Sequence, residues 1–354
     1  MANNNTTPSR LGQLQATGDA RATFLTLWSG EIMRTYDTLC VTQGKIQTRT
    51  IPHGKTATFP KIGRASAFRH TPGTNIYDAG NSLLNTIKHG QKTISIDDKL
   101  IAPAFISDVD EIMNHYDVRS PYTKALAFAL AKSNDQRVLR LLALAARANT
   151  TITGTAPDSA LLGESWLNGT TPSTVAALKS DSLSQTAPTY AALIAAARAA
   201  ATVLDQKDIP ETERYWYVTP AQYYALIENS GAGTDIISRD FNSGNGSMAS
   251  GKVYSAFGLQ IVKTNHLPST NFTTETAGDG TDGVFNIYGG DFRKTAGLVC
   301  HWGAVGELKL RDMAFEMEYD MDVQGTKMLA KILNGYGILE PACAVELTTV
   351  NNNA

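Results

Sequence analysis

Ser120-Pro121-Tyr122-Thr123-Lys124-Ala125-Leu126-Ala127-Phe128-Ala129-Leu130 opens the most regular stretch of the chain. Ser120 fits an N-cap and Pro121 the first helical position, where a missing N–H costs nothing. From there Tyr122, Leu126, Leu130, Val138, Leu141, Leu142 and Ala145 recur mostly at three- and four-residue steps. That spacing predicts an amphipathic helix of about 28 residues, roughly 40 Å long. A helix of this length reads as a spine bridging sub-domains.

The flanking sequence sets this helix in an α+β chain. Residues 1–48 begin as a polar arm and continue as a short amphipathic piece around Phe24, Leu27, Trp28 and Ile32. Residues 49–96 are rich in Gly, Pro and Thr, with β-prone runs only at Lys55–Phe59 and Thr93–Ile96. Such a segment is a long hairpin excursion or finds its partner on another surface. The stretch Thr50–Asp97 is accordingly expected to bury little against its own subunit. Beyond the helix, 149–188 reads as loops. A second helix is expected from about Thr189 to Asp205, a strand at Arg214–Val218, and a helix opening at Thr219-Pro220. Strands are predicted at Val253–Val262, Val284–Tyr288, Gly297–Trp302 and Glu307–Leu310.

At 354 residues, 42% of them hydrophobic and 18% charged, the chain is long enough for two or three packed domains. Thirty-one basic residues against 33 acidic give a net charge of −2, which argues against wholesale nucleic-acid binding. Cys40, Cys300 and Cys343 lie far apart and read as buried thiols in a reducing compartment. The polar amino terminus lacks the apolar core of a signal peptide, and no window is apolar and long enough to span a bilayer.

The usual chemical signatures fail. Among six histidines the closest two, His53 and His70, are 17 apart, so no dedicated metal site is expected. Gly54-Lys55-Thr56 resembles the end of a phosphate-binding loop, but the required first glycine is Arg49. Gly278-Asp279-Gly280-Thr281-Asp282-Gly283 has the dinucleotide spacing, yet a predicted strand follows it instead of a helix. Asp108, Asp110 and Glu111 read as a solvated acidic helix start. No catalytic residue and no cofactor are expected.

Charge layout is the informative feature. Residues 44–92 hold eight basic residues against Asp78 alone, or +7, leaving −9 on the remainder. Acid gathers at Asp97, Asp98, Asp108, Asp110 and Glu111, and again at Glu316, Glu318, Asp320 and Asp322. The pattern reads either as an ordinary solvated surface or, more sharply, as a basic extended segment that docks on an acidic surface of an identical neighbour, a head-to-tail assembly. Lys55, Phe59, Lys61, Arg64, Phe68 and Arg69 are the expected inter-subunit contacts, an apolar anchor flanked by charge.

Gly54-Lys55-Thr56-Ala57-Thr58-Phe59-Pro60-Lys61-Ile62-Gly63-Arg64 resembles the extended loop of the major capsid proteins of T7-like short-tailed phages. Met113 to Ser120 resembles that family's entry to its spine helix. Gly303 to Asp312, Gly335-Tyr336-Gly337 and Glu340-Pro341-Ala342 resemble its carboxyl-terminal part, and Phe257 to Val262 through His266-Leu267-Pro268 a strand pair. The resemblance implies the Hong Kong 97-type capsid fold. It places an arm at 1–48, an extended loop at 49–96 and a peripheral domain at 97–185, completed by about 300–330. An axial domain follows at 186–299, joined by the strands of about 331–354. It also implies hexamers and pentamers in an icosahedral shell around double-stranded DNA, assembled in the bacterial host cytoplasm with scaffolding and portal proteins and without a membrane. A bacterial nanocompartment shell and an enzyme with an unrecognised site are the alternatives.

Overall fold

The computed structural model describes residues 40–62, 67–77, 89–97, 99–113, 119–148, 162–169, 172–227, 246–247, 252–253, 255–272 and 286–352. Strands β1 (Gln47–Thr50), β2 (Thr56–Ile62), β3 (His89–Ser95) and β4 (Leu100–Ser107) lead into helices α1 (Asp108–Met113) and α2 (Arg119–Ala146). Next come α3 (Tyr190–Gln206), β5 (Arg214–Val218) and α4 (Pro220–Ile227). Short strands β6 (Gly246–Ser247), β7 (Lys252–Val253), β8 (Ser255–Ala256), β9 (Leu259–Lys263), β10 (Asn271–Phe272) and β11 (Gly290–Asp291) follow. The chain ends in β12 (Thr295–His301), β13 (Val305–Asp320), β14 (Gly325–Ile338) and β15 (Ala344–Thr348).

Helix α2 has the predicted length of 28 residues, and its two halves meet different sheets. The first half packs Tyr122, Leu126 and Leu130 against Ile106, Leu100, Met328 and Ala330. Those residues belong to a four-stranded sheet of order β1-β13-β14-β4, in which β1 runs parallel to β13 and the other pairs are antiparallel. The second half buries Val138, Leu139, Leu142 and Ala145 against Tyr217, Leu298, Cys300 and Ala344. These face out of a five-stranded sheet of order β15-β12-β5-β9-β8. Side chains alternate across a strand. Hence Trp216 and Val218 of β5 point to the opposite face, where α3 supplies Leu193, Ala197, Ala200 and Leu204 and α4 supplies Leu226.

The strand predicted at 253–262 is broken: Val253 ends β7, and 255–263 form a pair, β8 and β9, because Phe257 and Gly258 both take positive φ and turn the chain back. Asn286–Tyr288, expected to end a strand, forms a 3₁₀ turn that carries the Tyr288 side chain beneath α2. The long helix begins at Arg119, with Ser120 already in its first turn. Asp110 is buried, although the acids of α1 are expected to be solvated. Of the carboxyl-terminal strands, β15 joins the five-stranded sheet, whereas β14 lies in the four-stranded one, paired from Gly325↔Ser107 to Ile332↔Leu100. The Gly-x-Gly-x-x-Gly stretch at 278–283 lies outside the described residues.

The extended segment forms a hairpin in which β2 and β3 pair from Thr56↔Ser95 to Ile62↔His89. Its base packs on its own chain: Phe59, Ile94 and Ile96 form a buried cluster with Leu308 and Leu339. That corrects the expectation for Thr50–Asp97. Period-two alternation turns one face of the hairpin inward at its root, while residues 67–77 are exposed throughout. The approach is so close that a Cβ on Gly335 would lie 2.2 Å from the Ser95 carbonyl oxygen.

Leu142 itself is buried, in the more enclosed half of α2, so Leu142→Ala should cost about 2–5 kcal/mol. Chemical denaturation of the full chain measures this; a parent-like midpoint would show that the helix does not bear on the core as described. Amide exchange should divide the hairpin, slow at Ile94 and Ile96 and fast across 67–77.

Candidate assembly interface and its anchors

The six residues expected at an interface fall into three groups. Lys55, Phe68 and Arg69 are exposed, and Phe68 keeps 56% of its surface in solvent. Ile76 and Tyr77, not singled out from sequence, extend that exposed apolar surface. Phe59 and Lys61 are instead engaged within the chain. Phe59 is buried with Ile94 and Leu308, and the Arg49 guanidinium lies 5.6 Å from its ring centroid. Lys61 forms an ion pair with Glu340. Both were expected at a neighbour, but β2 alternation turns Phe59 inward, and Lys61 meets the turn after β14. Arg64 lies outside the described residues.

An acidic surface stands at the far end of the four-stranded sheet. From 312 to 322 the sequence carries Asp312, Glu316, Glu318, Asp320 and Asp322 and no basic residue. Lys331 and Lys327 on β14 pair with Glu316 and Asp320. Among the acids stand exposed Met313, Met317, Tyr319 and Met321, with Val109, Ile112 and Met113 of α1 nearby in the fold. Adjacency follows from pairing, since Gly325 opposes Ser107 and the Asp108 amide donates to the Gln324 carbonyl. β1 covers only Gly306–Lys309 of β13, so among the described residues the outer edge of β13 from Leu310 onward has no strand beside it.

A groove of about 570 Å³ lies at the hairpin base, lined by Arg49, Phe59, Lys61, His301, Trp302 and Glu340 among others. Among the described residues no three His, Cys, Asp or Glu are grouped to hold a metal ion, and no helix is long and apolar enough to cross a membrane.

Beneath these surfaces lie buried charges that sequence reading passed over. Asp135, fully buried in α2, accepts hydrogen bonds from Cys40 Sγ at 2.7 Å, the Val41 amide at 2.9 Å and the Thr42 amide at 3.1 Å. The Thr42 hydroxyl donates to it at 2.6 Å, and His266 Nδ1 is 3.0 Å away. Burial works against its ionised form, but the donors of His266, Cys40, Thr42 and Val41 outweigh that and hold its carboxyl below the usual range. Glu346, also fully buried, receives Arg147 through Nε at 2.8 Å and Nη2 at 2.6 Å, together with the hydroxyls of Ser165 and Thr295. Tyr288 donates to Asp97, whose Oδ2 is 3.8 Å from Arg137 Nη1. Polar residues at 134, 135 and 137 inside an apolar helical pattern were the one available signal. Of the three thiols expected to be buried, Cys300 and Cys343 are, and burial pushes Cys343 up to about 11, whereas Cys40 at the edge of the described residues is only half-buried.

A long helix laid across two mixed sheets, with a hairpin projecting from its root, is the Hong Kong 97-type fold of phage capsid proteins. The mature capsid protein of bacteriophage PhiM1 shares it at a TM-score of 0.64 over 98% of each chain, with 14% identity. The chain belongs to the Gp10A-like major capsid protein family, whose pattern it matches over residues 58–348. It is 31% identical to the major capsid protein of Escherichia phage T7 over 346 residues, covering 93% of this chain and 92% of that one. The capsid structure of cyanophage P-SCSP1u is 36% identical, with a TM-score of 0.73 over 98% of this chain and 100% of that one.

The Asp135 cluster has a defined pH signature. A carboxyl held below its unfolded value gives stability that is complete above about pH 4 and is lost as pH falls further. Asp135→Asn should cost about 3 kcal/mol or more at neutral pH. Denaturant midpoints measured from about pH 6 down to pH 3 should show the gap between parent and variant narrowing. A constant gap would mean that the ionised carboxylate is not what the five donors hold.

Proposed function

We propose that this protein is the coat subunit of a tailed-phage virion, assembling as hexamers and pentamers into an icosahedral shell around double-stranded DNA. What carries the reading is family membership together with a 36% identical capsid structure that matches nearly the whole chain. The role is structural, without catalysis, and its mechanism is geometric: one chain takes slightly different arm and loop poses in different rings. Assembly takes place in the host cytoplasm with scaffolding and portal proteins. The near-zero net charge suits a genome driven in by a motor, since no basic arm is needed to condense it. The relatives are phage coat proteins, which favours this reading over a bacterial nanocompartment.

In this reading residues 1–48 are the arm and 49–96 the extended loop. Residues 97–185 and β13–β14 form the peripheral domain, and 186–299 with β15 the axial domain. The pairing of β14 with β4 supports counting it as peripheral. The loop lies over the neighbouring subunit. Its exposed Lys55, Phe68, Arg69 and Tyr77 suit the acidic, methionine-bearing end of β13 and α1 in both charge and apolarity. Arg64 belongs to the same contact. Each exposed ion pair contributes only about 0–1 kcal/mol, but a closed shell repeats it in every subunit.

Lys55→Glu with Arg69→Glu should therefore cut the yield of closed shells seen by electron microscopy while leaving the melting of the isolated subunit unchanged. Adding Glu318→Lys and Asp322→Lys should partly restore assembly. Normal shells from the first pair would show that these charges do not serve subunit contacts.

A further inference from the structure

The middle of α2 carries three side chains that its apolar pattern does not call for: Asn134, Asp135 and Arg137, all buried. Two of them hold the roots of the two appendages. Asp135 takes the four donors of Cys40, Val41 and Thr42, where residues 1–39 join the fold. Arg137 faces Asp97, where the return strand of the extended hairpin ends. Asp97 also receives the Tyr288 hydroxyl, and its amide donates to the Asn334 carbonyl at 3.2 Å. The Arg137 guanidinium lies 5.5 Å from the Tyr288 ring centroid, and the Tyr336 amide donates to the Tyr288 oxygen at 3.3 Å.

Packing joins the two roots as well. Ile46, four residues beyond Thr42, sits in one buried cluster with Val138, Tyr288 and Tyr336. Tyr288, which donates to Asp97 at the hairpin base, thus belongs to the same packed cluster as the segment leading out of the arm anchor. The loop root also has slack. Arg137 Nη1 is buried and has no hydrogen-bond partner among the described residues, and at 3.8 Å from Asp97 Oδ2 it lies beyond hydrogen-bond reach.

We propose that residues 134–137 of α2 are a common root that couples the amino-terminal arm to the extended loop. Buried charges cannot be left half-satisfied without a large penalty, so each anchor has a small set of discrete arrangements. A close-packed interior and a rigid helical turn carry a change at one anchor to the other. A shift of the hairpin base that re-sets Asp97, Arg137 and Tyr288 moves the packing around Ile46, and with it the hold of Asp135 on residues 40–42. The coupling belongs to the single chain and stands whether or not the assembly reading holds.

Hydrogen exchange on the full-length isolated subunit tests it with two nearly isosteric variants. Tyr288→Phe removes the donor to Asp97, and Thr42→Val removes one donor to Asp135. Each should speed exchange at its own root by about two- to tenfold, the range expected for one lost hydrogen bond. Coupling requires a crossed effect: Tyr288→Phe also speeds residues 41–45, and Thr42→Val also speeds 94–97. The double variant should then change each root by less than the product of the single changes. Amides of 138–146 serve as the internal reference. If Thr42→Val disturbs them, Cys40→Ala takes its place as the milder arm-root change. Effects confined to each variant's own root, with multiplicative doubles, would overturn the coupling.

Discussion

One constraint organises this molecule: a single helix must satisfy two sheets at once. The first half of α2 needs apolar side chains on one side only, and it rests on β4 and β14 with the rest in solvent. The second half is enclosed, with Leu139, Ala143 and Ala145 inaccessible to water. Neither sheet alone buries the whole length of the helix. The two sheets are therefore held in one relation by a rod whose rise per residue is fixed.

A rod sealed in this way leaves its polar groups few places to go, and they become connectors. Arg147, at the end of α2, reaches Glu346 on β15 with two hydrogen bonds and stands over the Phe292 ring. Asp135 gathers donors from the arm exit and from the loop after β9. Such groups add little net stability over apolar residues of the same shape, but leaving one unpaired is costly. They therefore penalise wrong registers more than they strengthen the right one.

The extended hairpin shows the same division. Its root is core, with Phe59, Ile94 and Ile96 packed beneath β13 and β14, and its outer part presents charge and exposed apolar side chains. The far end of β13 is the opposite: acidic, methionine-bearing, and without a strand on its outer edge among the described residues. Two unlike surfaces on one chain are what the head-to-tail contact proposed above requires, and repetition of such a contact closes rings or extends lattices.

The α+β class, the long helix, α3, β5 and α4 were legible in the sequence, because each rests on local periodicity and end signals that neighbours in the chain supply. The separation of a basic segment from an acidic remainder was legible too, being a matter of counting. Which face of the hairpin turns inward was not, since Phe59 reads equally well as an anchor for another subunit until Leu308 and Leu339 arrive from 249 and 280 positions away. The buried roles of Asp135, Arg137, Tyr288 and Glu346 were hidden for the same reason. A charged residue in a helix or strand reads as surface unless its partner is known, and here the partners lie 40 to 199 residues apart in sequence. Local propensity fixes elements, whereas the burial of a charge is decided only when distant donors converge on it.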